Sequence, residues 1–156
     1  MMTLYDFGYL HSAAERVIKE LIALRIPLVD IRFHADSRNH RYTQEGFTGR
    51  RGVIYRHIPD LGNTLYKEAL SGRFTEPLIN LADPDRGLIV LGGILAQHNR
   101  CAVFCACSSR TNCHRMEVVR LAREKFGCEI VHLPIGGRKV ADGDADGGHY
   151  QESALF

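Results

Sequence analysis

The feature that most constrains this chain is a repeated switch of hydrophobic period. Short apolar runs ended by glycine, proline or polar loops alternate with stretches whose apolar residues recur at helical spacing. Thr3 to Gly8, Leu28 to Arg32, Val53 to Ile58, Cys101 to Cys105 and Cys128 to Leu133 read as strands. Between the first two, Ala14, Val17, Ile18, Leu21 and Ile22 form one apolar stripe, with Ser12 placed to cap the helix. Asp83-Pro84-Asp85 opens a second helix running to about Gln97, because proline is tolerated in a first turn. Gly92-Gly93 weakens that helix on propensity. Asn112 is placed to cap a third, with Val118, Val119, Ala122 and Phe126 facing inward and Gly127 stopping it. Residues 33 to 52 read as polar and irregular, and 64 to 82 as one or two short helices.

Strands that alternate with helices argue for a single α/β domain with a mainly parallel sheet. The length of 156 residues suits one such domain, and 45% hydrophobic residues allow a real core. We expect the domain to span residues 1–137, followed by a Gly/Asp-rich tail over 138–156. That tail carries Asp142-Gly143-Asp144-Ala145-Asp146-Gly147, which begins like a calcium loop. Its twelfth position is Ser153, where a bidentate glutamate is needed, so no calcium site is expected.

A net charge of +2 does not call for a nucleic-acid or membrane partner. No apolar stretch approaches the roughly 20 residues that span a bilayer. The first residues lack a basic segment followed by an apolar one, so no export signal is expected. Five cysteines are then expected to stay reduced in a cytoplasm.

The chemistry concentrates where strands end. In open α/β sheets ligands bind beyond the carboxyl ends of the strands. There stand Asp30 and Arg32, Ser37-Arg38, and the stretch "CACSSRTNCHR" from Cys105 to Arg115. Cys105 or Cys113 is a candidate nucleophile, since a helix start or a nearby cation stabilises thiolate. His114 and Asp30 are candidates for proton transfer; Asp30 is equally suited to pairing with an arginine. Arg32, Arg38, Arg110 and Arg115, with Ser37, are candidate anion-binding groups beside free helix N–H donors. Cys105 and Arg110 also fit C-x4-R, the loop length of rhodanese-like sulfurtransferases. The C-x-C-x5-C-H spacing of Cys105, Cys107, Cys113 and His114 does not match familiar structural zinc sites, so no metal and no cofactor is expected. Cys101, Cys128 and Cys107 read as inert.

Residues 32 to 57 hold six arginines against two acids, interspersed with Tyr42, Phe47 and Tyr55. Arginine interleaved with aromatics is a pattern of single-strand nucleic-acid binding, and its alternative is a solvated loop.

The order "YDFGY", "LVDIR", "DSR", "GVIYRHIPDLG", "VFCAC…CHR", "CEIVHL" resembles the domain-of-unknown-function 488 family over about residues 3 to 133. The resemblance implies an α/β/α fold. It also implies that Asp30, Arg32, Ser37, Arg38, Cys105, Cys113, His114 and Arg115 share one site. It implies no reaction. Where such proteins commonly carry an acidic residue, two positions after the strand-ending cysteine, this chain has Cys107. The function expected is an enzyme acting on a phosphate-bearing or nucleotide-like substrate. The alternatives are a non-catalytic nucleotide or nucleic-acid binding module and a rhodanese-like sulfurtransferase.

Overall fold

The computed structural model describes residues 1–71, 73, 78–107 and 109–134. The expected tail, its calcium-like run and the Gly136-Gly137 pair lie outside the described residues. Five strands form one parallel sheet: β1 (Thr3–Gly8), β2 (Leu28–Asp30), β3 (Tyr55–His57), β4 (Arg100–Cys105) and β5 (Glu129–His132). Their order across the sheet is β3-β2-β4-β1-β5. The runs "LVDIR" and "CAVFC" are adjacent, with Leu28 opposite Ala102 and Asp30 opposite Phe104. Their carboxyl ends therefore share one edge.

Strand side chains alternate between the two faces, and each face has its own core. On one face Leu4, Val29, Cys101, Val103 and Cys105 pack under α4 (Pro84–His98) and α5 (His114–Phe126). On the other, Tyr5, Phe7, Leu28, Ala102 and Phe104 pack under α1 (Ala14–Ala23) and Phe47 of α2 (Gln44–Thr48). A further short helix, α3 (Tyr66–Leu70), follows β3. The result is a helix–sheet–helix sandwich, as expected of an α/β domain. Among the described residues no helix is long and apolar enough to cross a membrane.

Three local expectations are corrected. Ser12 does not cap α1: Ala13 occupies the cap position, and its N–H donates to His11 Nδ1 at 3.1 Å. Asn112 does not cap α5: it sits at φ 58°, which leaves the cap position to Cys113. Residues 33 to 52 are not irregular throughout. A 3-10 turn (His40–Tyr42) and α2 drive Tyr42 and Phe47 into the core, capped by the Asn39 and Thr43 side chains. These elements are too short to show a helical period, so caps and two aromatics define them.

The signals at the other ends hold. The Asp83 carboxylate accepts the N–H of Arg86, and Gly127 ends α5 at φ 62°. Gly92 has a packing reason: a Cβ there would meet the Phe126 ring at 2.8 Å, so glycine lets α4 lie close to α5.

The connections decide where a ligand fits. β1 and β2 send their chains to the face of α1 and α2, while β4, between them, sends its chain to α5 on the opposite face. Loops that part to opposite faces leave a crevice at the strand ends, the switch point where open α/β sheets bind ligands.

Candidate functional site

At the switch point β1 and β4 are joined by backbone bonds that continue past both strands. Tyr9 N donates to Cys105 O at 3.0 Å and Leu10 N to Ala106 O at 3.1 Å. Gly8 permits this approach, since a Cβ there would lie 1.6 Å from the Cys107 carbonyl oxygen. The turn from β4 to α5 then brings Cys113 back to where Cys105 left the sheet.

The sulfurs of Cys105 and Cys113 are 3.3 Å apart, and both residues are buried. Arg115 Nη1 donates to Cys105 Sγ at 3.1 Å and to the Cys107 carbonyl at 3.3 Å. Behind it, Arg115 Nε donates to Asp6 Oδ1 at 3.0 Å, and His132 Nδ1 bonds Asp6 Oδ2. His114 Nε2 bonds the Ile31 carbonyl at 2.9 Å. One donor atom each from Cys105, Cys113 and His114 falls within 4.8 Å of the others, so these three could hold a metal. The spacing argument had given no reason for such convergence. It compared knuckles within one turn, whereas these donors come from a strand end and a helix start.

The three neighbouring thiols divide their protons unequally. Hydrogen bonds from Cys105 and Cys113 hold the Cys107 thiol far below the ordinary range, aided by the nearby His114 and Arg115 and opposed by burial. Cys105 is raised by its bonds to Cys107 and Cys113 and by burial. Cys113 is raised too: its bond to Cys105 opposes the rise, and its bond to Cys107 and burial prevail. Cys107 is the most open of the three. Burial lowers His114, favouring neutral imidazole.

Asp30 and Arg32 form a second buried unit. Arg32 Nε and Nη2 donate to the two oxygens of Asp30 at 2.8 and 2.6 Å, and Tyr55 Oη donates to Oδ2 at 2.6 Å. Arg32 Nη1 is bonded to the carbonyls of Asp36 and Tyr42 at 2.8 and 2.7 Å. With both oxygens of Asp30 occupied and no exposure, the pairing role replaces the catalytic one. Arg32 reaches the cleft wall with its donors committed, so it orders the loop over residues 36–42.

The cleft has a volume of about 460 Å³. Tyr9, Phe33, His34 and Tyr66 give it aromatic surface; Ser37, Arg38, Asn63 and Asn112 give polar groups; Cys105, Ala106, Cys107 and His114 complete the lining. The His34 ring lies 4.7 Å from Phe33 and 5.8 Å from Tyr66, centre to centre. Arg38 is exposed, and among the described residues it makes no hydrogen bond or ion pair.

The predicted residues therefore divide. Ser37, Arg38, Cys105 and His114 line the cleft, with Cys113 directly behind Cys105. Arg115, expected to bind an anion, is 1% exposed and tied to Asp6 and Cys105, so it anchors the sulfur centre instead. Arg110 donates to the Leu133 carbonyl at 3.0 Å and lies 3.4 Å from Asp6, outside the cleft lining. The aromatics read as a nucleic-acid surface are spent inward: Tyr42 and Phe47 are buried, and Tyr55 holds Asp30. Sequence reasoning missed Cys107, Asp6, His34 and Tyr66, while Tyr9 stands where the end of the first strand was expected to reach the site. For Cys107 a signal was present, the substitution of a thiol where the resembling family carries an acid. For Asp6 there was little, since its partner Arg115 stands 109 residues away.

Fold and site together define an α/β protein with a thiol-bearing cleft at the switch point of a parallel sheet. No family model matches the chain, and no curated protein or solved structure matches it either.

Proposed function

We propose that the protein is a small enzyme that acts on a phosphate-bearing, nucleotide-like substrate in the switch-point cleft, with Cys107 as its reacting thiol. One observation carries this reading: a single cleft is lined by four aromatic rings, an arginine without a partner among the described residues, and a thiol that its neighbours shift toward thiolate. Aromatic rings suit the face of a base. Arg38 and Ser37 suit a phosphate, which a guanidinium binds through paired N–H donors. Cys107 supplies a nucleophile at neutral pH, and neutral His114 is the nearby group able to carry a proton.

We carry the resemblance to the domain-of-unknown-function 488 family into this proposal. Direct contacts support its grouping of residues. Asp30 holds Arg32, His114 bonds the Ile31 carbonyl, and Cys105 touches both Cys113 and Arg115. In this reading the protein works in the cytoplasm, where its thiols stay reduced.

Iodoacetamide labelling tests the proposal. Cys107 should be labelled at a rate that does not rise across neutral pH, and a nucleoside monophosphate should slow it. Arg38→Ala should remove that protection and leave the unprotected rate unchanged. If the rate rises with pH as an ordinary thiol's does and nucleotide still binds through Arg38, the protein is a non-catalytic binding module. If no nucleotide protects the thiol, the substrate class is wrong.

A further inference from the structure

The floor of the cleft holds a donor set that the thiol reading uses only for its protons: Cys105 and Cys113 as donors to Cys107, and His114 as proton carrier. Cys105 ends β4, and Cys113 and His114 begin α5, so the intervening turn brings two thiols and an imidazole to one point. Tetrahedral zinc, with Zn–S of about 2.3 Å and Zn–N of about 2.0 Å, separates its donor atoms by about 3.5–3.8 Å. The 3.3 Å between the sulfurs and the 4.8 Å span of all three donors bracket that size. Two cysteines and one histidine are also the ligand set of an open zinc site, which keeps a position for water or substrate.

A second observation points the same way. The His114 Nε2 contact is to a backbone carbonyl, which only accepts. Nε2 must therefore carry the proton, and Nδ1 keeps the lone pair. A histidine with one ring nitrogen fixed by a carbonyl is the arrangement by which proteins orient metal ligands. Arg115 does not oppose a cation here with a bare charge. Asp6 neutralises it at 3.0 Å, and its N–H to Cys105 Sγ is a bond that a metal-bound thiolate still accepts.

We propose that Cys105, Cys113 and His114 hold one zinc ion at the floor of the cleft. Cys105 and His114 both line the cleft, so the ion borders the substrate's space. Cys107 stays outside the ligand set. The proposal takes from the functional reading the position of the substrate; in the zinc form Cys105 and Cys113 no longer donate to Cys107, and the ion takes over the part given to His114. Its role there is to polarise an oxygen of the substrate or to lower the pKa of a bound water.

Elemental analysis of the full chain, purified without chelators and again after incubation with zinc and desalting, is the first test. Zinc equimolar with the chain supports the site; its absence after incubation, or copper or iron in its place, overturns it. X-ray absorption at the zinc edge of the parent protein should give two sulfurs and one nitrogen from the protein, and a shell of four sulfurs or of oxygen and nitrogen alone refutes the assignment. Cys113→Ser should lose the zinc, whereas Cys101→Ser should keep it. Zinc retained by Cys113→Ser overturns the proposal. Should that variant fail to fold, the absorption spectrum of the parent decides. Zinc content and nucleotide protection are separate readings: equimolar zinc with no protection sinks the substrate class alone, and protection without zinc sinks the metal alone.

Discussion

Asp30 and Arg32 are two residues apart, yet each closes the other's hydrogen-bonding needs only because the chain turns at the end of β2. Removing one charge of such a pair leaves the other buried. Asp30→Asn should therefore destabilise the fold by about 3–5 kcal/mol, read from the denaturant midpoint at unchanged slope. A midpoint equal to the parent's would mean that water reaches Arg32 and that the unit is not buried in solution. The thiols offer a test at the same scale. In metal-free protein the bonds from Cys105 and Cys113 hold the Cys107 thiol low, so its labelling rate should be flat across neutral pH. An ordinary thiol would speed up about tenfold per pH unit below its pKa of about 8.5. Cys101, buried and raised, should stay unlabelled until the protein unfolds.

At the scale of elements, the close approach of β1 to the β4–α5 turn is what builds the floor of the cleft. Gly8→Ala puts a Cβ into the Cys107 carbonyl, and backbone must move to relieve it. We expect a loss of about 1–3 kcal/mol or more, together with a changed labelling rate at Cys107; a variant with parent-like stability and labelling would refute the contact. α1 and the turn after α2 are joined by a part-buried pair, Glu15 with Arg50 at 2.9 Å. The hydrogen bond from Arg50 lowers the Glu15 carboxyl. A carboxyl lowered on folding adds stability that is fully present above its unfolded pKa and is lost as pH falls through the folded one. Glu15→Gln should thus cost about 0.2–1 kcal/mol at pH 7, and the difference from the parent should vanish on acidification below the usual carboxylate range. A difference that persists in acid would assign it to packing.

For the whole molecule, a ligand that binds the folded state stabilises all of it. A nucleoside monophosphate at about a hundred times its Kd should add about 2.7 kcal/mol. For a chain of this size that raises Tm by roughly 2–4 °C per kcal/mol. Because Arg38 carries the charge contact, the shift should shrink in salt and fall on Arg38→Ala. An equal shift in that variant would place the phosphate elsewhere.

The sequence by itself determined the five strands and the three long helices, and that they alternate; α2 was too short to be read. Period, proline, glycine and caps act within a few residues, so Gly127 and Asp83 could be read directly. It also determined that the candidate residues after β2 and β4 gather on one edge, since strand direction in a parallel sheet puts those loops there. The tertiary structure decided which groups there are free. Arg32, Arg38 and Arg115 look alike in sequence; Asp30 takes the first, Asp6 takes the third, and the second is left to the cleft. Cys107 looked incidental until β1 packed beside its turn, and Cys105 met Cys113 and His114 only once α5 had folded back over the sheet. The physical reason is range: burial and charge pairing depend on partners that close 83 to 109 residues away, for His114 on Ile31 and Arg115 on Asp6, and no local pattern encodes them.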